Sequence, residues 1–181
     1  MKNNQKNILL GVTASIAAYK ACDLIKDLKN EDFQVTVVLT KDAAHFITPL
    51  SLQTFSGREV ITDFFSAQSK PVHIDLAQKS DLILIAPATA DIIAKIAHGL
   101  ADDVLTCTVL ATDAPVVVVP AMNDKMLANP FTQENIQRLK KGGMEIVAPV
   151  KGPLACGYEA DGHIAENKTI LQVVRRCLKM K

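Results

Sequence analysis

The sequence predicts an α/β protein in three layers, a doubly wound parallel sheet covered by helices on both faces. Three observations predict it. Short runs of consecutive aliphatic residues recur along the 181-residue chain, and stretches with helical spacing alternate with them almost end to end. The aliphatic runs also lack polar alternation, as strands buried on both faces do.

Residues 7–12 form the first strand, followed by a helix through Ile16, Ala17, Tyr19 and Leu24. Residues 34–39 (Gln-Val-Thr-Val-Val-Leu) are the second strand. Thr48 and Pro49 read as a cap and first helical residue, and Gly57 closes that helix. Residues 81–86 (Asp-Leu-Ile-Leu-Ile-Ala) are a third buried strand. Residues 89–98 carry helical spacing at Ile92, Ile93 and Ile96, and Gly99 terminates them. A helix over 102–111 leads into Val116-Val117-Val118-Val119, four β-branched residues between Pro115 and Pro120 that read as a short buried strand. Residues 131–141 form a helix entered through Asn129-Pro130 and stopped by Gly142-Gly143. A last strand at 144–148 and a last helix at 168–179 complete the pattern. Residues 66–71 and 151–166 are left as long functional loops. Strands joined by helices in this way give a flavodoxin-like or Rossmann-like sheet, expected as a single domain over 1–181.

Composition narrows the function. Hydrophobic residues make up 49% and aromatics only 4%, with no Trp, so the core is aliphatic and base-stacking platforms are scarce. Twenty basic and 19 acidic side chains leave a net charge of +1, which gives no electrostatic case for nucleic acid or an anionic membrane. No apolar run approaches the roughly 18 residues of a membrane span. The polar residues 1–7 are not expected to act as a signal peptide. Cys22, Cys107, Cys156 and Cys177 are scattered, with no Cys-x-x-Cys pair, and read as free thiols of a cytoplasmic protein. His45, His98 and His163 share no ligand spacing with His73 or the cysteines, so no metal is expected.

Chemistry is expected where strands end, because open α/β sheets bind ligands at their carboxyl edge. The turn Gly11-Val12-Thr13-Ala14-Ser15-Ile16 offers small residues and hydroxyls at a helix start, suited either to an anion or simply to close packing. It carries neither Gly-x-Gly-x-x-Gly nor Gly-Lys-Ser/Thr, which argues against a typical dinucleotide enzyme or P-loop NTPase. Pro120-Ala-Met-Asn-Asp-Lys-Met126 leaves the valine strand with the uncharged amide Asn123 and the thioethers Met122 and Met126. Asn123 reads as a ligand-binding amide or a turn residue. His73, two residues before Asp75, is either a proton-transfer group or a hydrogen-bonded structural histidine. Cys156 lies in Gly152-Pro-Leu-Ala-Cys-Gly-Tyr158, a loop able to close over a ligand. A thiol of ordinary pKa near 8.5 is protonated at neutral pH and can donate a proton, or it can be an inert loop thiol.

Together these segments resemble the flavin-dependent cysteine decarboxylases over nearly the whole chain. The resemblance rests on Gly-Val-Thr-Ala-Ser-Ile-Ala-Ala-Tyr-Lys (11–20), His-Ile-Asp-Leu-Ala (73–77) and Ala-Pro-Ala-Thr-Ala-Asp (86–91). It continues through Gly-Leu-Ala-Asp-Asp (99–103), Pro-Ala-Met-Asn (120–123) and Ala-Cys-Gly (155–157). It implies bound FMN, a homotrimer that some members assemble into a dodecamer, and an FMN site completed across a subunit interface. Ala14, Ser15, Ile16, Thr40, Asp42, Thr89, Ala90, Asp91, Ile92 and Ala121 take the positions of flavin contacts. His73, Asn123 and Cys156 take the catalytic positions: base or orienting group, carboxylate holder and proton donor. Asn123, Met126, Ala155 and Gly157 take those of substrate contacts.

The implied reaction converts 4'-phosphopantothenoylcysteine to 4'-phosphopantetheine in coenzyme A biosynthesis. Oxidation of CH2–SH to a thioaldehyde lets the carboxylate leave as CO2, and returned electrons with a proton complete the product. Peptidyl-cysteine decarboxylases and flavin prenyltransferases of the same fold are alternatives, and an FMN-binding regulatory subunit is the non-enzymatic one. The sequence departs from many relatives at Ala14, Asp91 and Leu127, which stand where glycine, asparagine and an aromatic residue occur. The chain is expected to act without a fused synthetase domain, the ligase lying on another polypeptide.

Overall fold

The computed structural model describes residues 5–64 and 71–179. Five parallel strands form the central sheet: β1 (Asn7–Val12), β2 (Gln34–Leu39), β3 (Leu82–Ala88), β4 (Val116–Pro120) and β5 (Glu145–Ile146). Their order is β2-β1-β3-β4-β5. Chain direction across the sheet reverses between β1 and β3, and the crevice outside the carboxyl ends of those strands is the ligand position such a topology provides.

Burial explains why these runs are strands. Every residue of β3 and β4 is buried, and so are five of the six in β1. Alternate side chains feed two cores. Ile8, Leu10 and Val12 pack with Leu84 against α1 (Ala21–Asn30), α2 (Pro49–Ser56) and α8 (Asn167–Cys177). Leu9, Ile83 and Ile85 pack against α3 (Val72–Lys79), α4 (Ala90–Ala97), α5 (Val104–Ala111) and α7 (Pro130–Lys141) on the opposite face. At about 1.5–3 kcal/mol per fully buried aliphatic side chain, these two layers dominate the folding energy. Gly11 points into the second layer: a Cβ there would sit 2.6 Å from Leu105 Cδ1, so its absence lets α5 lie close to β1.

The predicted caps occur as read at α2, where Thr48 accepts from the Ser51 N–H and Gly57 adopts φ +73°. Several boundaries differ from expectation. The first helix opens as a 3₁₀ turn over Ile16–Lys20 before α1 begins. The strand expected at 144–148 shrinks to two residues of β5, because it lies at the sheet edge with one neighbour. His73 lies in α3, a helix that the sequence pattern does not mark and that leads directly into β3. The expected loop at 151–166 is largely an antiparallel hairpin of β6 (Val150–Pro153) and β7 (Glu159–His163), with α6 (Asp124–Ala128) against β7. Of the loop expected at 66–71, residues 66–70 lie outside the described residues.

Candidate functional site

Two hydroxyls sew three chain segments together at the carboxyl edge of the sheet. The buried Thr13 Oγ1, just past β1, donates to the Pro87 carbonyl at 2.7 Å and accepts from the Thr89 N–H at 3.1 Å. Ser15 Oγ donates to the Ala121 carbonyl at 3.2 Å and accepts from the Ala17 N–H at 3.3 Å. The Ala121 N–H closes the third side on the Ala88 carbonyl at 3.0 Å. The 11–20, 86–91 and 120–123 motifs are therefore one physical unit. Thr89 then caps α4, its Oγ1 accepting from the Ile92 N–H at 3.2 Å.

Around this unit lies a cleft of two lobes, about 510 Å³ and about 480 Å³, which share Ala14, Thr89, Ala90 and Met126 on their walls. Each lies within the roughly 300–1,000 Å³ of small-molecule sites. All ten positions expected at a flavin line it: Ser15, Ile16 and Ala121 in the larger lobe, Thr40, Asp42, Asp91 and Ile92 in the smaller, and Ala14, Thr89 and Ala90 in both. Asn123, Ala155 and Cys156 wall the larger lobe. Gly157 lies on neither wall. In the smaller lobe, Lys95 bridges Asp102 at 3.0 Å and Asp91 at 3.5 Å. Hydrogen bonding to Asp102 holds its ammonium above the usual lysine value, against a smaller effect of burial.

The hairpin brings Cys156 to Asn123. Asn123 Nδ2 stands 3.5 Å from Cys156 Sγ and donates to Tyr158 Oη at 3.1 Å. The Asn123 Oδ1 accepts from the Lys125 N–H at 3.0 Å, the N-cap bond of α6. Tyr158 Oη donates in turn to Asp124 Oδ1 at 2.7 Å. That bond pushes the Tyr158 phenol up to about 12 and, with backbone N–H groups, holds the Asp124 carboxyl below the usual carboxylate range.

At the hairpin's base, Lys20 Nζ lies 2.7 Å from His163 Nε2, and His163 Nδ1 lies 3.0 Å from the Pro153 carbonyl. An ammonium offers only donors, so Nε2 accepts and Nδ1–H faces the carbonyl. Met122 N–H donates to the Gly162 carbonyl at 3.1 Å, joining the hairpin to the end of β4. Sequence spacing missed this set. Lys20 and His163 are 143 positions apart, and Tyr158 and Asp124 34 apart, so no local pattern pairs them.

His73 stands apart from Asn123 and Cys156 within the chain and lines neither lobe. Its ring meets Phe64 edge-on at 5.7 Å, and its buried Nδ1 has no hydrogen-bond partner among the described residues.

A parallel sheet with a cleft at its switch point, walled by small residues and a capped helix start, defines an α/β protein built to hold a nucleotide-like group. The chain belongs to the Flavoprotein family, whose model matches residues 1–179. It is 43% identical over 177 residues to a probable phosphopantothenoylcysteine decarboxylase of Streptococcus mutans, covering 96% of this chain and 99% of that one. It is 50% identical over 174 residues to the coenzyme A biosynthesis bifunctional protein of Vibrio vulnificus, covering 95% of this chain. It spans 43% of that relative's length. Among solved structures, a cysteine-to-serine mutant of PPC decarboxylase complexed with pantothenoylaminoethenethiol superposes with a TM-score of 0.87 at 34% identity, covering 97% of this chain and 100% of that one.

Proposed function

We propose that this protein binds FMN in the two-lobed cleft and decarboxylates 4'-phosphopantothenoylcysteine to 4'-phosphopantetheine, a step of coenzyme A biosynthesis. The observation that carries the proposal is the meeting of Asn123 and Cys156, 33 positions apart, at 3.5 Å on the wall of the larger lobe. A hydrogen-bond donor for a carboxylate and a proton-bearing thiol side by side are what removing CO2 and then protonating the remainder requires.

The cleft fits the cofactor. Methyl side chains at Ala14, Ala90 and Ala121 leave room for a flat ring, and the first turn of α4 presents backbone N–H groups suited to an anion. FMN bound there supplies reversible two-electron chemistry at the carbon bearing the substrate thiol, which makes the adjacent carboxylate a competent leaving group. Asn123 Nδ2 holds that carboxylate without fixed positive charge, so the ground state is not stabilised too strongly. Cys156 Sγ carries the proton delivered in the closing step. The hairpin covers the larger lobe and limits water around the reacting carbon.

His73 acts as base or orienting group in the cleft of a second copy, within a homotrimer that a dodecamer can extend. Its position away from both lobes of its own chain, with Nδ1 buried and unpartnered among the described residues, supports that assignment. The protein works in the cytoplasm.

The test is an absorption spectrum of the purified protein, followed by incubation with 4'-phosphopantothenoylcysteine. A yellow protein that releases CO2 and forms 4'-phosphopantetheine is expected. A colourless protein that cannot take up added FMN would overturn the proposal.

A further inference from the structure

Asn123 can grip a carboxylate only if its amide faces the right way, and the structure contains a device that sets this. An asparagine side chain has two nearly isosteric orientations, and its neighbours decide between them. At one end the Lys125 N–H requires an acceptor, which Asn123 Oδ1 provides at 3.0 Å. At the other end Tyr158 Oη has already given its proton to Asp124 Oδ1 at 2.7 Å, so toward Asn123 it presents only lone pairs. Nδ2 meets them at 3.1 Å. A reversed amide would set oxygen against oxygen at Tyr158 and N–H against N–H at Lys125.

We propose that Tyr158, locked by Asp124, is a positioning residue that fixes the Asn123 amide. One N–H is spent on Tyr158 and the other is directed at Cys156 Sγ at 3.5 Å, where a substrate carboxylate takes over as the acceptor. Tyr158 and Asp124 thereby set the cleft's preference for a ligand with a carboxylate. The proposal rests on the role given to Asn123 under the proposed function. Its geometry is long-range, because the phenol comes from the hairpin tip and the carboxylate from the first turn of α6. The Lys125 N–H holds one end of the amide locally, and the seated hairpin adds the second, long-range contact at the other end, so closure completes the positioning.

The experiment uses two unreactive ligands that differ only in the carboxylate: the serine analogue of the substrate, and the same compound ending in ethanolamine. Their affinities for the FMN-loaded protein are measured by calorimetry. The wild type should prefer the carboxylate-bearing ligand by tenfold or more. Tyr158→Phe should lose about tenfold in affinity for that ligand while binding the ethanolamine compound within twofold of wild type. Asp124→Ala should behave like Tyr158→Phe. Asp124→Asn should retain most of the preference, because its amide oxygen still accepts from the phenol. The double variant Tyr158→Phe/Asp124→Ala should be no worse than either single change.

A hairpin role without amide positioning would weaken both ligands equally, and that result overturns the proposal. So does an undiminished preference in Tyr158→Phe. A wild type that binds the two ligands equally overturns the role of Asn123 itself, and the positioning role with it.

Discussion

Gly162 is the joint on which the hairpin is hung, and Gly162→Ala tests whether that joint holds the site. The residue is buried at φ +123°, and its carbonyl accepts the Met122 N–H at 3.1 Å. An added Cβ would fall 2.2 Å from the Met122 carbonyl oxygen and 3.3 Å from its carbon. Real Cβ atoms essentially never come within 3.0 Å, so the backbone at Met122 or the hairpin must retreat by about 0.8 Å. That shift breaks the Met122 hydrogen bond at a cost of about 1 kcal/mol. The strained backbone adds about 1–3 kcal/mol. A total near 3 kcal/mol lowers Tm by about 6–12 °C for a chain of this length. Gly11→Ala is the control. Its Cβ is also crowded, at 2.6 Å, but by the Leu105 side chain, which can turn aside, and it faces the core rather than the hairpin. Thermal melts paired with CO2 release at 25 °C separate the two. Gly162→Ala should lose activity beyond its loss of stability, because Asn123 follows Met122, whereas Gly11→Ala should lose stability with the chemistry retained. A Gly162→Ala protein melting within 2 °C of wild type would refute the reasoning.

Cys156→Ser should still release CO2 but accumulate the oxidised enethiol, read by mass spectrometry, and wild-type yields of 4'-phosphopantetheine would remove Cys156 from proton delivery. His73→Asn should keep FMN, seen in its absorbance, and lose CO2 release; an active variant would exclude His73 from the reaction. Thr13→Val keeps the shape but strands the Thr89 N–H and the Pro87 carbonyl, at a cost of about 2 kcal/mol; an unchanged Tm together with unchanged FMN affinity would contradict the stitching role. At Asp81 burial raises the carboxyl, but Lys6 and the Asn7 N–H outweigh it and leave the group below its usual value. A pKa lower in the folded state gives stability that is present above the unfolded value near 4 and lost as pH falls through the folded one. Asp81→Asn should therefore melt below wild type at pH 7, and the gap should narrow from about pH 5 to pH 3; a constant gap would count against this.

Legibility followed burial. The aliphatic strands β1 to β4 were readable because a parallel sheet buries both faces, so hydrophobicity alone marks them. The helix caps at Thr48 and Gly57 were readable because their chemistry is local. The hairpin was not, since Glu159-Ala-Asp-Gly-His163 is mainly polar and mostly unburied and shows no clear alternation. Helix α3 escaped because its start at Pro71 carries no side-chain cap and it ends at Ser80 with no glycine, whereas α2 and α4 begin at capping threonines. At the site, small-residue motifs indicated where a ligand fits, and all ten expected flavin positions fall on one cleft. The polar partners Tyr158 and His163 that the hairpin brings to Asn123, Asp124 and Lys20 were invisible, because those bonds join residues 34 to 143 positions apart, whereas the bond from Lys125 to Asn123 is local.

Those partners also explain why Cys156 sits on a hairpin rather than on a strand end like Asn123. The base of the hairpin is fixed by Lys20 to His163 in a half-buried contact and by Met122 to the buried Gly162, while the His163 to Pro153 contact is exposed. Its tip is fixed by the Tyr158 phenol and the Asn123 amide, in contacts open to solvent. Exposed hydrogen bonds exchange with water at little net cost, whereas buried ones cannot be left unmade. The tip therefore releases before the base. An opening of the tip would move Cys156 and Tyr158 away from Asn123 while the Lys125 N–H still held its Oδ1, and the sheet edge would be undisturbed. Closing would restore the Cys156 and Tyr158 contacts to Asn123 in one movement. In the role proposed for Cys156, a cysteine on the rigid edge would hold the proton donor in place at all times and could not tie proton delivery to a bound carboxylate.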